Sequence, residues 1–213
     1  LSLSPNSFNC TNVGTPVTVT LTGTDVAGNI GTGTAIMTVL DTVRPVVTTQ
    51  NRTVYLNAAG TATLSALLVN NGSSDACGVA SLSLSPNTFT CANVGTPVTV
   101  TLTATDVNSN SNTGTATITV LDTIRPVVNT QNRTVYLNAS GTATVSALQV
   151  NNGSSDACGV ASLSLSQTSF TCANVGTPVT VTLTATDVNS NSNTRTATIT
   201  VLDTVRPVSY THL

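Results

Sequence analysis

The residue types able to do chemistry are few and narrowly chosen. The chain has eight acidic residues, all Asp, six bases, all Arg, five Cys and one His. General acid–base catalysis draws mainly on His, Glu and Lys, and here a single His212 stands without either of the others. No nucleophile–base pair is visible, so no catalytic residue is assigned and the chain is read as a non-enzyme. The Asp residues fall into three classes spaced by 81: 25/106/187, 41/122/203 and 75/156. The segment Asp106-Val-Asn-Ser-Asn-Ser-Asn112 offers oxygen ligands at alternate positions, loosely as a calcium loop does. It lacks the Gly and the distal acid of an EF-hand, and its plainer reading is a hairpin loop of Asx turns. A junction suits calcium better, with Asp122 sharing a cation with an Asp75-type or Asp106-type loop. The calcium candidates are therefore Asp75, Asp106, Asp122, Asp156 and Asp187, and no other cofactor is expected.

The cysteines keep the same spacing. Cys77 and Cys91 are 14 apart, as are Cys158 and Cys172. Pairing each couple closes a short loop inside one repeat and stabilises it by about 3 kcal/mol in the chain-entropy model. Cys10 corresponds to Cys91, and its partner would precede Leu1, so it is left unpaired by truncation. The alternative is buried reduced thiols in a cytosolic protein. Two thiols per repeat without CxxC spacing or His do not make a zinc site. Paired Cys in small Thr-rich units fit an oxidising compartment.

These residues sit in an 81-residue repeat. Asp41-Thr-Val-Arg-Pro45 recurs as Asp122-Thr-Ile-Arg-Pro126 and Asp203-Thr-Val-Arg-Pro207. Residues 42–122 and 123–203 differ at nine aligned positions, among them Leu68/Gln149, Pro86/Gln167 and Gly114/Arg195. Residues 1–41 match the second half of the unit, and 204–208 begin another. A unit of 81 exceeds ordinary solenoid periods and suits a small self-contained domain. The tail 209–213 departs from the repeat. Val208-Ser-Tyr-Thr-His-Leu213 reads like the translated end of a sequencing adapter and is set aside as non-native.

Within the repeat, alternation of period two dominates. Val98-Thr-Val-Thr-Leu-Thr-Ala-Thr105 places apolar residues on one face and Thr on the other, and 115–120, 81–85 and 61–66 follow suit. One dry and one wet face predict antiparallel sheets. Turn-rich strings at 57–60, 70–75, 93–97 and 108–112 separate the strands; 66–70 reads as a short turn. Six or seven short strands per repeat predict an all-β fold of tandem immunoglobulin-like sandwiches. The expected core is Val54, Leu64, Val79, Leu82, Leu84, Phe89, Val98, Val100, Leu102, Ile118 and Val120.

Charged residues make up 7% of the chain and net charge is −2, against about 25% charged residues in an ordinary domain. No basic face exists for nucleic acid. No run approaches the ~18 apolar residues of a membrane helix. The start lacks the basic region and apolar core of a signal peptide.

Several strings then coincide in order and spacing: Asp-Thr-x-Arg-Pro, Asn-Gly-Ser-Ser-Asp-Ala-Cys-Gly (71–78), Phe-x-Cys-x-Asn-Val-Gly (89–95), Val-Thr-Val-Thr-Leu-Thr-Ala-Thr-Asp (98–106) and Thr-Val-Leu-Asp (119–122). Together over 1–208 they resemble the hyalin-repeat (HYR-like) immunoglobulin-like domains found in tandem in secreted or surface proteins of Bacteroidota. The resemblance implies an extracellular sandwich used in adhesion or as a spacer at the bacterial cell surface. The chain is expected to be a semi-stiff stalk or adhesin segment, because short Pro-containing links restrict swivel and each unit adds about 30–35 Å. Its expected partners are the neighbouring repeats. A glycan- or protein-binding module using 70–75 or 108–112 is the second reading, and an accessory region of an extracellular hydrolase is the third.

Overall fold

The computed structural model describes residues 1–206; the tail 209–213, with His212, lies outside the described residues. The chain is all-β. Fifteen strands are described: β1 (Ser2–Ser4), β2 (Val17–Thr24), β3 (Ile30–Met37), β4 (Arg52–Tyr55), β5 (Thr61–Thr63), β6 (Val79–Ser85), β7 (Thr88–Thr90), β8 (Val98–Asp106), β9 (Ser111–Leu121), β10 (Arg133–Tyr136), β11 (Thr142–Thr144), β12 (Val160–Leu165), β13 (Ser169–Thr171), β14 (Val179–Asp187) and β15 (Ser192–Leu202). Two single-turn helices, α1 (Ala66–Val69) and α2 (Ala147–Val150), interrupt them. The sheets are β1-β2-β3, β4-β9-β8-β6 with the pair β5-β7, and β10-β15-β14-β12 with the pair β11-β13. Each draws its strands from one repeat.

The chain forms two compact units, which divide differently from the repeats. One comprises 1–54, 63–88 and 97–119; the other comprises 55–62, 89–96 and the chain from Val120.

The sandwich over 123–203 shows how the alternating pattern works. Val181, Leu183 and Ala185 on β14 and Ala197, Ile199 and Val201 on β15 form one apolar cluster with Phe170 on β13 and with Val145 and Val150 beside and on α2. Phe170 is fully buried, so it joins the second sheet to the first. The Thr residues between them stay on the wetter face. In 42–122, Val54, Leu64, Phe89, Val100, Leu102, Ile118 and Val120 are buried as expected. Val79, Leu82, Leu84 and Val98 are only half-buried. The first three lie on β6, an edge strand of its sheet.

Two features depart from the sequence reading. The sheets are not purely antiparallel, because β10 runs parallel to β15, with Arg133 opposite Ile199. A tight turn forces antiparallel pairing, but these strands open and close the repeat and no turn joins them. In addition, 61–66 is not one strand. β5 ends at Thr63, and α1 begins at Ala66 with Val69 buried. The carbonyls at the end of that short helix are met by side chains: Arg52 Nε donates to Leu68 O at 2.7 Å and Gln50 Nε2 donates to Leu68 O at 3.2 Å. Arg133 Nε makes the same bond to Gln149 O at 2.6 Å.

The β1-β2-β3 sheet has no second sheet among the described residues. Leu21 is 48% exposed where the equivalent Leu102 is fully buried.

Candidate functional site

The chemistry-bearing residues gather where the chain enters each repeat. Three segments meet there: the Asp-Thr-x-Arg-Pro entry, the 70–78 turn and the 106–110 loop. Val46 and Ser74 exchange backbone bonds at 2.8 and 3.0 Å. Val107 N donates to Gly78 O at 3.2 Å. Asn110 Nδ2 reaches Asp41 O at 3.1 Å and Asn112 Nδ2 reaches Pro45 O at 3.0 Å. The 123–203 repeat has the same bonds, including Asn191 Nδ2 to Asp122 O at 3.2 Å and Asn193 Nδ2 to Pro126 O at 3.0 Å.

Asp106 is the keystone of its loop. It is buried, 2% exposed. Its Oδ1 accepts the backbone N–H of Asn108 and of Asn110, each at 2.8 Å, and its Oδ2 accepts Asn110 Nδ2 at 2.9 Å. Asp187 has the same three partners one repeat later. Both oxygens are occupied, so these two calcium candidates are corrected to loop-closing Asx residues. The bonds turn the loop so tightly that Ser109 takes φ 72°. The corresponding residue of the Asp25 loop is Gly28, φ 87°, a conformation glycine adopts without strain.

Desolvation raises the Asp106 pKa, but the bonds from the Asn110 side chain and from the backbone of Asn110, Asn108 and Ser109 outweigh it, and the group titrates below the ordinary carboxylate range. A lowered folded-state pKa adds stability that is present above the unfolded value of about 3.9 and is lost as pH falls through the folded value. The melting temperature should therefore fall below about pH 4. Asp106→Asn should lower stability at neutral pH and flatten that acid limb; thermal melts from pH 2 to 7 check this.

The entry aspartates behave differently. Asp41 Oδ1 accepts Val43 N–H at 3.0 Å, Asp122 Oδ1 accepts Ile124 N–H at 2.9 Å, and Asp203 Oδ1 accepts Val205 N–H at 2.9 Å. On the 70–78 turn and its counterpart, Asp75 Oδ1 accepts Cys77 N–H and Asp156 Oδ1 accepts Cys158 N–H, both at 2.8 Å. The second oxygens of Asp41, Asp75 and Asp122 are buried without a hydrogen-bond partner. The neighbouring Arg44 and Arg125 are exposed and make no bond to them.

The disulfides overturn the expected pairing. Cys10 is bonded to Cys77 and Cys91 to Cys158, each across 67 residues, with Cα–Cα separations of 5.2 and 5.3 Å. Cys77–Cys91 and Cys158–Cys172 do not form; Cys10 is paired, and Cys172 is free and exposed. The 123–203 sandwich shows why. Cys158 lies just before β12, whose Val160 pairs with Asp187 at the end of β14. Cys172 lies before the start of β14, beside the Val175–Val201 bridge. Nine residues of strand, about 30 Å, separate the two ends. A Cys at the exit of one repeat instead meets the Cys at the entry of the next. Glycine makes room for it: Gly60 has φ +72°, and a Cβ there would stand 2.8 Å from Cys91 Sγ and 3.2 Å from Ala157 Cβ.

Asn51 is also structural, its Oδ1 accepting Thr117 N–H at 2.8 Å.

No protein-family model and no curated protein matches the chain. Among solved structures it is similar to protocadherin gamma C5 EC1-3 (15% identity, covering 87% of this chain and 76% of that one, TM-score 0.40). It is also similar to mouse cadherin-23 EC22-24 (18%, 87% and 74%, TM-score 0.39) and to titin domains I67-I69 in an E-to-A variant (12%, 89% and 75%, TM-score 0.43).

Proposed function

We propose that the chain is a non-catalytic structural segment of an extracellular protein, a tandem spacer that presents other domains and resists extension. The observation that carries the reading is the covalent link between successive repeats. Tension applied along the chain enters at Cys10, crosses to Cys77, follows the backbone to Cys91 and crosses again to Cys158. Residues 11–76 and 92–157 hang outside that path, so unfolding them adds no length. Two disulfides fit an oxidising compartment, and the HYR-like resemblance supports a bacterial surface protein. A chemistry limited to buttressed Asp, free of Lys and Glu, suits a scaffold better than a catalyst. Single-molecule pulling from the two ends tests the reading: the oxidised chain extends far less than the reduced one, and equal lengths contradict it.

A further inference from the structure

We infer that the entry of each repeat is a calcium site, formed by Asp41, Asp75 and Asn108 in one repeat and by Asp122, Asp156 and Asn189 in the next. Each site lies within a single compact unit, and the inference stands whether or not the spacer reading does. It begins with unmet oxygens. The buried side-chain atoms without a hydrogen-bond partner, among the described residues, are Asp41 Oδ2, Asp75 Oδ2, Asn108 Oδ1, Asp122 Oδ2 and Asn189 Oδ1. All five are acceptors, and all fall on three repeat-equivalent positions. Buried acceptors in folded proteins are normally paired, and a repeated exception calls for a common occupant.

The geometry brings them together. A carboxylate oxygen of Asp41 and one of Asp75 lie within 4.8 Å of each other and of Cys77 Sγ, and Asp122, Asp156 and Cys158 repeat the cluster. Two oxygens bound to one Ca²⁺ at 2.3–2.6 Å can stand up to about 5 Å apart. Asp122 is only 8% exposed; one of its oxygens holds the Ile124 turn and the other is buried and unmet. Asn108 lies between two residues that are tied to the segments of the cluster. Val107 is tied to Gly78 on the turn bearing Asp75, and Asn110 is tied to the Asp41 carbonyl. Asn189 is held likewise between Val188, bonded to Gly159, and Asn191, bonded to Asp122. Two carboxylates and an amide oxygen are hard ligands suited to Ca²⁺, with water completing the shell. The sulfurs are tied up in disulfides and do not act as thiolate ligands. Two charges per site place the affinity in the weak range of extracellular modules, about 10⁻⁴–10⁻³ M. A bound ion would pin the entry segment beside the inter-repeat disulfide.

Calcium itself is the probe. The oxidised full chain, stripped with a chelator, should bind two ions in calorimetric titration, and its melting temperature should rise with added calcium. Asp75→Asn should leave one ion bound, and Asp75→Asn with Asp156→Asn none. Both changes keep the Oδ1 that holds the turn, so the variants should melt in chelator no lower than the parent. Asn108→Asp adds a carboxylate and should tighten its site several-fold. The inference is overturned by an absence of saturable binding up to about 10 mM, ten times the weakest affinity expected. Unchanged stoichiometry in the double variant, or weaker binding in Asn108→Asp, would overturn it as well.

Discussion

Pulled from its ends, the reduced chain should extend roughly 450 Å farther than the oxidised chain, since each residue released adds about 3.3–3.6 Å. Each disulfide closes a loop of sequence separation 67, and both loops lie outside the loaded path while the bonds stand. Pairing within repeats would hide only 14 residues at a time and give a difference of roughly 100 Å. The two arrangements differ by more than fourfold in released length, well above the resolution of force spectroscopy. In an array the effect recurs. Between one bridge and the next only Cys77 to Cys91 carries the load, so a repeat of 81 residues pays out about 50 Å instead of about 280 Å. Oxidised and reduced chains that release the same length would remove the mechanical reading.

Replacing Cys91 and Cys158 together by Ser should cost about 4 kcal/mol of stability, because the denatured chain regains the entropy of a loop of that length. The melting temperature should drop by on the order of 10 °C. The substitution leaves the apolar cluster around Phe170 untouched, so strand content should be unchanged at low temperature. A fall below about 1 kcal/mol, measured by denaturant melts of the oxidised parent and the variant, would mean that the bridge does not constrain the unfolded chain.

The sandwich was legible because period-two alternation acts locally: the residues that make β8 and β14 present a dry face wherever they are placed. The pairing of the cysteines was not. Sequence distance favours Cys77 with Cys91, but the strand between them carries them to opposite ends of the sandwich, a consequence only of three-dimensional register. The same limit applies at the entry. Asp106 read as one candidate cation ligand because oxygen-bearing residues alternate after it, yet those residues turn back and bond both of its oxygens. Asn108 was one of the alternating oxygen-bearing residues of that loop but was not singled out, because an amide carries no charge. The signal available was the recurrence of Asn at 108 and 189 beside Asp at 41 and 122. The small residues Ala104 and Ala116 are core members that their size concealed, though they fall in the same alternating rows. Val69 is buried because α1 turns it inward, which no strand pattern foretells.

The measurement closest to the central claim is a tryptic digest of the oxidised, alkylated chain. Arg44, Arg125 and Arg206 precede Pro and resist cleavage, so cuts fall after Arg52, Arg133 and Arg195. Bridges between repeats hold fragments 1–52, 53–133 and 134–195 in one covalent species that separates only on reduction, with Cys172 alone carrying the alkyl label. Three separate fragments before reduction, with the label on Cys10, would contradict the account.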